Sequence, residues 1–333
     1  MTTNIATTLP FQNRSNIARL VLSPDKRTLI SIDVDGFALF INMVKKVVLA
    51  HFNFRDTVTA IEFSPDNKFF FVACDTKCKI FESPSMDHKT FSPLVLYKKY
   101  GNLHSQTITG VTWSPDSRFI LTWAKDLTLK MISLHKIPQF LPFTFSGNKK
   151  PIVSAFFSAD GKRIFSIAQN GTLLLWKWIP ERSDEADKMI KFAEFKMGKR
   201  LKLSSSTEKP NAYNVTDEDL ELMTELEREA SRGRYLLEKR SRFQLGEMSK
   251  IVSCCVSASS NTSKIILVIG QSNGVFSLYD LDTLESIHSF QISQNRIDSI
   301  AVNAQADWVA MGSKEQGQLF VWEWQSETYI LKQ

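Results

Sequence analysis

Short apolar runs recur along the chain at nearly even spacing. Residues 17–22, 58–63, 108–113 and 152–157 either alternate apolar with polar positions or are largely apolar. Each leads into Ser23-Pro24-Asp25, Ser64-Pro65-Asp66, Ser114-Pro115-Asp116 or the variant Ser158-Ala159-Asp160, at intervals of 41, 50 and 44 residues. A second apolar run follows each, at 28–34, 69–74, 119–124 and 163–168. Runs this short, bounded by turn residues, predict strands rather than helices. Ser-Pro-Asp suits the turn between them, because Pro presets φ and Asp hydrogen-bonds the backbone just beyond it.

About ten residues later comes a second landmark. Asp35-Gly36, Asn170-Gly171 and Asn273-Gly274 predict type I′ hairpin turns, which need positive φ at both positions. Asp75, Asp126 and Gly317 hold the equivalent places in their units. A third strand should follow each turn, with a large residue near its end: Phe40, Phe81, Met131, Trp176, Tyr279 and Trp322. A fourth, less regular strand then leads onward. Six such units begin near Ile17, Val58, Ile108, Ile152, Ile251 and Ile297. Four antiparallel strands every 40–45 residues or so is the sequence signature of a β-propeller blade, so an all-β fold with six visible blades is expected.

One interval breaks the rhythm. Asn170 and Asn273 are 103 residues apart, about 60 more than one unit needs. Residues 181–242 account for the excess, with 14 acidic and 14 basic side chains. The expected organisation is four blades in 1–180, a charged insertion in 181–246 and two blades in 247–333. The first half of the insertion, through Ser204-Ser205-Ser206 and Lys209-Pro210, reads as disordered. The second half reads as a helix. Thr216 with Asp219 resembles a capping box, and Leu220, Met223, Leu226 and Ala230 follow at three-to-four spacing. Arg232, Arg234, Lys239, Arg240 and Arg242 lie toward its C-terminal end. A solvated linker helix and a partner-docking arm both fit this pattern.

Composition narrows the function classes. The chain has 333 residues, 43% of them hydrophobic, which is ordinary for a folded protein. No apolar run approaches the ~18 residues of a membrane span. Residues 1–11 lack the basic stretch and apolar core of a secretory signal. Four cysteines, at 74, 78, 254 and 255, make no disulfide framework, so an intracellular protein is expected. A net charge of +6 permits a nucleic-acid partner without requiring one.

Candidate chemistry is sparse. Gly270-Gln271-Ser272-Asn273-Gly274 matches the G-x-S-x-G elbow of serine hydrolases, which needs a strand, a sharp turn and then a helix. Here a strand is expected after the turn, and His288 is the single histidine downstream. Ser272 is therefore read as a turn residue and no catalytic residue is assigned. Cys74 and Cys78 have no companion pair at zinc spacing, and no phosphate-binding glycine loop occurs, so no metal or cofactor is expected. Asp33 and Asp35 belong to a turn. Lys196, Lys199, Arg200 and Lys202 form a basic cluster that could touch phosphates or could be plain solvated charge. With Leu220, Met223 and Leu226, they are the candidate RNA or partner contacts.

The repeat resembles the WD40 family with degenerate units. No Gly-His dipeptide opens a unit and no Trp-Asp closes one; Tyr279-Asp280 is the nearest match. The His, Asp, Ser/Thr and Trp hydrogen-bond tetrad of that family is accordingly not expected, and core packing should carry the stability. The final stretch, Gly-Gln-Leu-Phe-Val-Trp-Glu-Trp-Gln-Ser-Glu-Thr-Tyr-Ile-Leu-Lys-Gln from Gly317 to Gln333, resembles the periodic tryptophan protein 2 family. His51-Phe52-Asn53-Phe54, Ser289-Phe290-Gln291-Ile292-Ser293 and the charged insertion in the same gap extend the resemblance. It implies a non-enzymatic nucleolar scaffold of the small-subunit processome, in the nucleus. Its partners would be other processome proteins, precursor rRNA and small nucleolar RNA, with no membrane or small-molecule substrate. It also implies tandem propellers with seven blades in the first, so that this chain would be a fragment lacking a blade before Ile17 and everything after Gln333. An adaptor in another intracellular complex is the alternative, and a propeller domain of a serine hydrolase a more distant one.

Overall fold

The structure is a computed structural model. It describes residues 12–84, 94–135, 142–180, 233–246, 248–258, 265–291, 294–303, 305–325 and 328–332. All the regular structure among them is strand.

Twenty-four strands form six four-stranded antiparallel sheets. The first holds β1 (Ile17–Leu22), β2 (Thr28–Asp33), β3 (Phe37–Asn42) and β4 (Val47–Asn53) in sequence order. The second holds β5 (Ala60–Phe63), β6 (Phe69–Cys74), β7 (Lys77–Glu82) and β8 (Leu96–Tyr100). The third holds β9 (Ile108–Trp113), β10 (Phe119–Ala124), β11 (Leu129–Ser133) and β12 (Phe143–Phe145), and the fourth β13 (Ile152–Phe157), β14 (Arg163–Ala168), β15 (Thr172–Pro180) and β16 (Gly233–Arg242). The fifth holds β17 (Ile251–Ala258), β18 (Ile265–Gln271), β19 (Val275–Asp280) and β20 (Ser286–Gln291). The sixth holds β21 (Ser299–Val302), β22 (Trp308–Ser313), β23 (Gln318–Glu323) and β24 (Thr328–Lys332). First strands of successive sheets touch: β1 with β5, β5 with β9, β9 with β13, β13 with β17 and β17 with β21. The fold is a β-propeller, and the six units read from the repeat are its blades.

Burial explains why these residues form these strands. The second strands of blades two to five are buried along nearly their whole length, and Phe70, Phe71, Ile120, Leu121, Ile164, Val268 and Ile269 are all fully buried. Alternation sends neighbouring residues to opposite faces, so one strand serves two interfaces. Phe70 and Val72 pack with Ile30, Ile32 and Phe40 toward the first blade, whereas Phe71 and Ala73 pack with Ile108, Ile120 and Ile132 toward the third. Tilted and stacked rings gather where the first two blades meet: Phe70 lies 6.0 Å from Phe40, 5.7 Å from Phe63 and 5.3 Å from Phe81. β1 is the exception, with Ile17, Leu20 and Leu22 about half exposed.

The Ser-Pro-Asp turns share one construction. Ser23 Oγ donates to Asp25 Oδ1 and accepts from the Thr28 N–H, while Asp25 Oδ1 also accepts from the Arg27 N–H. Ser64, Ser114 and Ser158 repeat it with Asp66, Asp116 and Asp160. Burial works against the charge of Asp25, but the bonds from Ser23 and Arg27 outweigh it and hold the carboxyl below its ordinary range. In the sixth blade Asn303 takes the serine's place, donating to Asp307 and accepting from the Trp308 N–H.

Two expectations are corrected. Type I′ turns were expected at Asp35-Gly36, Asn170-Gly171 and Asn273-Gly274, yet only the glycines have positive φ, at 83°, 82° and 77°. Each glycine N–H instead donates to the carbonyl three residues back, from Gly36 to Asp33, Gly171 to Ala168 and Gly274 to Gln271. That is a three-residue turn ending in a left-handed residue, which adds a bulge and strengthens strand twist.

The second correction concerns the insertion. Residues 181–232, where a disordered stretch and the body of a helix were expected, lie outside the described residues. Arg234, Lys239, Arg240 and Arg242, expected toward the end of that helix, stand on the strand β16. β15 offers a sheet edge whose backbone groups need partners, and pairing with that edge prevails over a weak helical stripe interrupted by glycine. Gly233 is required there: a Cβ would come within 2.4 Å of the Trp178 indole.

Chain contacts divide the molecule into two units, 176–239 and the remainder. In the smaller unit Trp178 packs edge-on against Tyr235 at 4.9 Å, and Lys177 Nζ pairs with Glu238 at 3.6 Å.

Candidate interaction surface

Ser272 sits in the hairpin turn between β18 and β19, so strand, turn and strand replace the strand, turn and helix of a nucleophile elbow. Its N–H donates to the Lys250 carbonyl and its Oγ accepts from the Lys250 N–H. His288 is engaged with aromatic rings, 5.7 Å from Phe290 and 6.2 Å from Trp322. The serine is a turn residue, as its place in the repeat indicated.

Asp33 is fully buried, and its Oδ1 accepts from the N–H groups of Asp35 and Phe37. It closes the β2–β3 turn. Cys74 packs in the cluster between blades one and two, and Cys78 in the cluster between blades two and three. Burial pushes their thiols up to about 11 and about 12, which keeps both protonated at neutral pH. Glu62 on β5 has a buried Oε2 with no hydrogen-bond partner among the described residues, and burial pushes its carboxyl up to about 8.

Lys196, Lys199, Arg200, Lys202, Leu220, Met223 and Leu226 all lie outside the described residues. Lys98 is tied to the Ser133 and Leu134 carbonyls and so braces blade two on blade three.

A buried polar network escaped the sequence reading. His104 Nδ1 lies 3.1 Å from Asp126 Oδ2, and its Nε2 lies 2.9 Å from Thr122 Oγ1. A proton on Nδ1 satisfies both contacts, with the imidazole donating to the carboxylate and accepting from the threonine. Thr128 Oγ1 donates to Asp126 Oδ1 at 2.8 Å. Two other blades keep a reduced version: Asn148 Nδ2 donates to Ser166 Oγ, and Ser31 Oγ donates to Asn13 Oδ1. The signal was present in the spacing of His104, Thr122 and Asp126. It was hidden because Leu103, not Gly, precedes the histidine.

The WD domain, G-beta repeat family matches residues 44–82, 97–133 and 140–177. Periodic tryptophan protein 2 homolog of Schizosaccharomyces pombe is 35% identical over 331 residues, which is 99% of this chain and 34% of that protein. Periodic tryptophan protein 2 of Saccharomyces cerevisiae is 32% identical over 99% of this chain and 32% of its own length. The mouse homolog is 30% identical over 99% of this chain and 35% of its own length.

The chain is a WD40-repeat propeller similar to periodic tryptophan protein 2.

It spans about a third of the length of these relatives. The His104 network now has a context. It supplies the histidine, threonine and aspartate of the WD40 tetrad, in a blade where that tetrad was not expected. Propellers of this kind are interaction scaffolds, presenting loops and blade edges on successive rigid sheets.

The network carries a pH prediction. Burial lowers the His104 pKa, partly offset by the Asp126 charge. Burial raises that of Asp126, but hydrogen bonds from Thr128 and His104 reverse the effect and leave it lowered. Both groups therefore release protons more readily in the folded state than in the unfolded one. Their contribution is full above the ordinary histidine value of 6.5, fades as pH falls below it, and fades further below 3.8. Replacing His104→Phe should lower stability at pH 7.5 by about 1–3 kcal/mol, because Thr122 and Asp126 lose a buried partner. Urea titrations at pH 7.5 and 5 should show the wild-type advantage shrinking at the lower pH.

Proposed function

We propose that this chain acts as a non-enzymatic scaffold in small-subunit ribosome biogenesis, within the nucleolar processome that matures precursor rRNA. The observation that supports it is the similarity to periodic tryptophan protein 2 along 99% of the chain, which includes the Trp-Glu-Trp-Gln-Ser-Glu run beginning at Trp322. A propeller suits the role, because six rigid sheets offer several loop clusters to several partners at once. The basic residues Lys196, Lys199, Arg200 and Lys202 are the proposed phosphate contacts, with Leu220, Met223 and Leu226 as a stripe for a partner groove.

Affinity purification of the tagged protein from the cells that express it tests the reading. The expected co-purifying set is small-subunit assembly proteins with precursor rRNA and small nucleolar RNA. Joint replacement of the four basic residues by Ala should reduce RNA crosslinking while leaving the protein set unchanged. Recovery of an unrelated complex, with no ribosomal precursor, would replace this reading with that of an adaptor elsewhere in the cell.

A further inference from the structure

The fourth blade has an outer edge unlike the others. β16 is ten residues long, whereas the outer strands β4, β8, β12, β20 and β24 have seven, five, three, six and five. β15 has nine residues, whereas other third strands have five or six. At ~3.3 Å per residue, β16 is about 10 Å longer than β4, the next-longest outer strand. β16 is last in the sheet order, so among the described residues no strand lies beside its outer row of backbone N–H and C=O groups.

What this edge displays is specific. Ile179, Leu236 and Leu237 are exposed by 43%, 40% and 51%. Arg234 and Lys239 are exposed beside them and have no ion pair among the described residues. The local acid, Glu238, already faces Lys177. Trp178 against Tyr235, over the close approach at Gly233, holds the two strands together from within. Positive charge on an edge repels a second basic strand and so discourages self-association. Purely protective edges have no use for two adjacent exposed leucines.

We propose that β16 accepts an acidic partner segment in extended form, which adds to the sheet as a fifth strand. Backbone hydrogen bonds would supply affinity; by strand alternation Arg234 and Leu236 would meet an acidic and an apolar side chain on one face of the sheet, and Lys239 and Leu237 would do the same on the other. This rests on the scaffold reading and adds to it one surface and one kind of partner.

Fluorescence anisotropy on the full 333-residue chain tests it. The probe is a capped ten-residue peptide with Asp-Ser-Val-Val-Ser-Asp at its centre, which sets one acidic and one apolar side chain on each face. The control is the same peptide with alternate backbone amides N-methylated, which keeps the charge and removes the donors. Saturable binding is expected, weakened at least tenfold by N-methylation and at least tenfold by joint Arg234→Glu and Lys239→Glu. Amide exchange in 233–239 should slow when the peptide is bound. Absence of saturable binding overturns the proposal, as does equal affinity for the N-methylated peptide. So does preferential binding of a ten-nucleotide single-stranded RNA, which would make this edge a nucleic-acid surface. The N-methylation arm uses wild-type protein, so a misfolded variant cannot obscure the result. Failure here leaves the composition of the purified assembly untouched, so the scaffold reading stands or falls separately.

Discussion

Replacing Gly36→Ala should destabilise the propeller by about 3 kcal/mol or more, since two independent costs add. Gly36 ends the β2–β3 turn at φ +83°, where an L residue pays about 1–2 kcal/mol in strain. A Cβ there would also lie 2.2 Å from the Asp56 carbonyl oxygen, which is backbone and cannot swing aside. The Gly36 carbonyl further accepts from the Phe54 N–H, so a shift of the turn disturbs how the first blade ends. Gly101→Ala is the control, because nothing lies within 4 Å of its Cβ position and its φ is ordinary. Thermal or urea unfolding should separate the two by most of the stated amount. Equal midpoints for the two variants would mean that the turn is not built as described.

Phe70→Ala should cost about 3–5 kcal/mol, the usual range for emptying a fully buried ring site. The ring is fully buried on β6, stacked at 15° on Phe81 and tilted against Phe40 and Phe63. It therefore ties the second blade both to itself and to the first. Phe70→Leu keeps most of the volume and should cost about half as much, since the loss scales with the cavity left behind. A loss below about 1 kcal/mol for Phe70→Ala would show that the site is not packed in solution.

The strands and turns were legible because their chemistry is local. Ser-Pro-Asp repeats with a serine that bonds both its aspartate and the backbone beyond, and four blades need nothing else to close their first hairpin. The glycine turns were located correctly, but their type was not. Asp-Gly and Asn-Gly serve either a two-residue turn or a three-residue turn with a left-handed end, and only the backbone decides. β16 was misread because its basic and apolar residues also suit a helix end, and strand pairing depends on β15, far away in sequence. The His104 network was missed for a related reason. Its members lie 18 and 22 residues apart and meet only when the third blade has folded. Polar pairs at Asn148–Ser166 and Asn13–Ser31 show that this site tolerates substitution, which is why a dipeptide signature cannot find it.

The proposed role in small-subunit assembly is best tested on ribosomal RNA itself. The protein can be depleted from cells that encode it, and small- and large-subunit rRNA and their precursors measured on the same blot. The account predicts that unprocessed precursor accumulates and mature small-subunit rRNA falls several-fold, with large-subunit rRNA largely maintained. Unchanged small-subunit rRNA in cells from which the protein has demonstrably gone would contradict it.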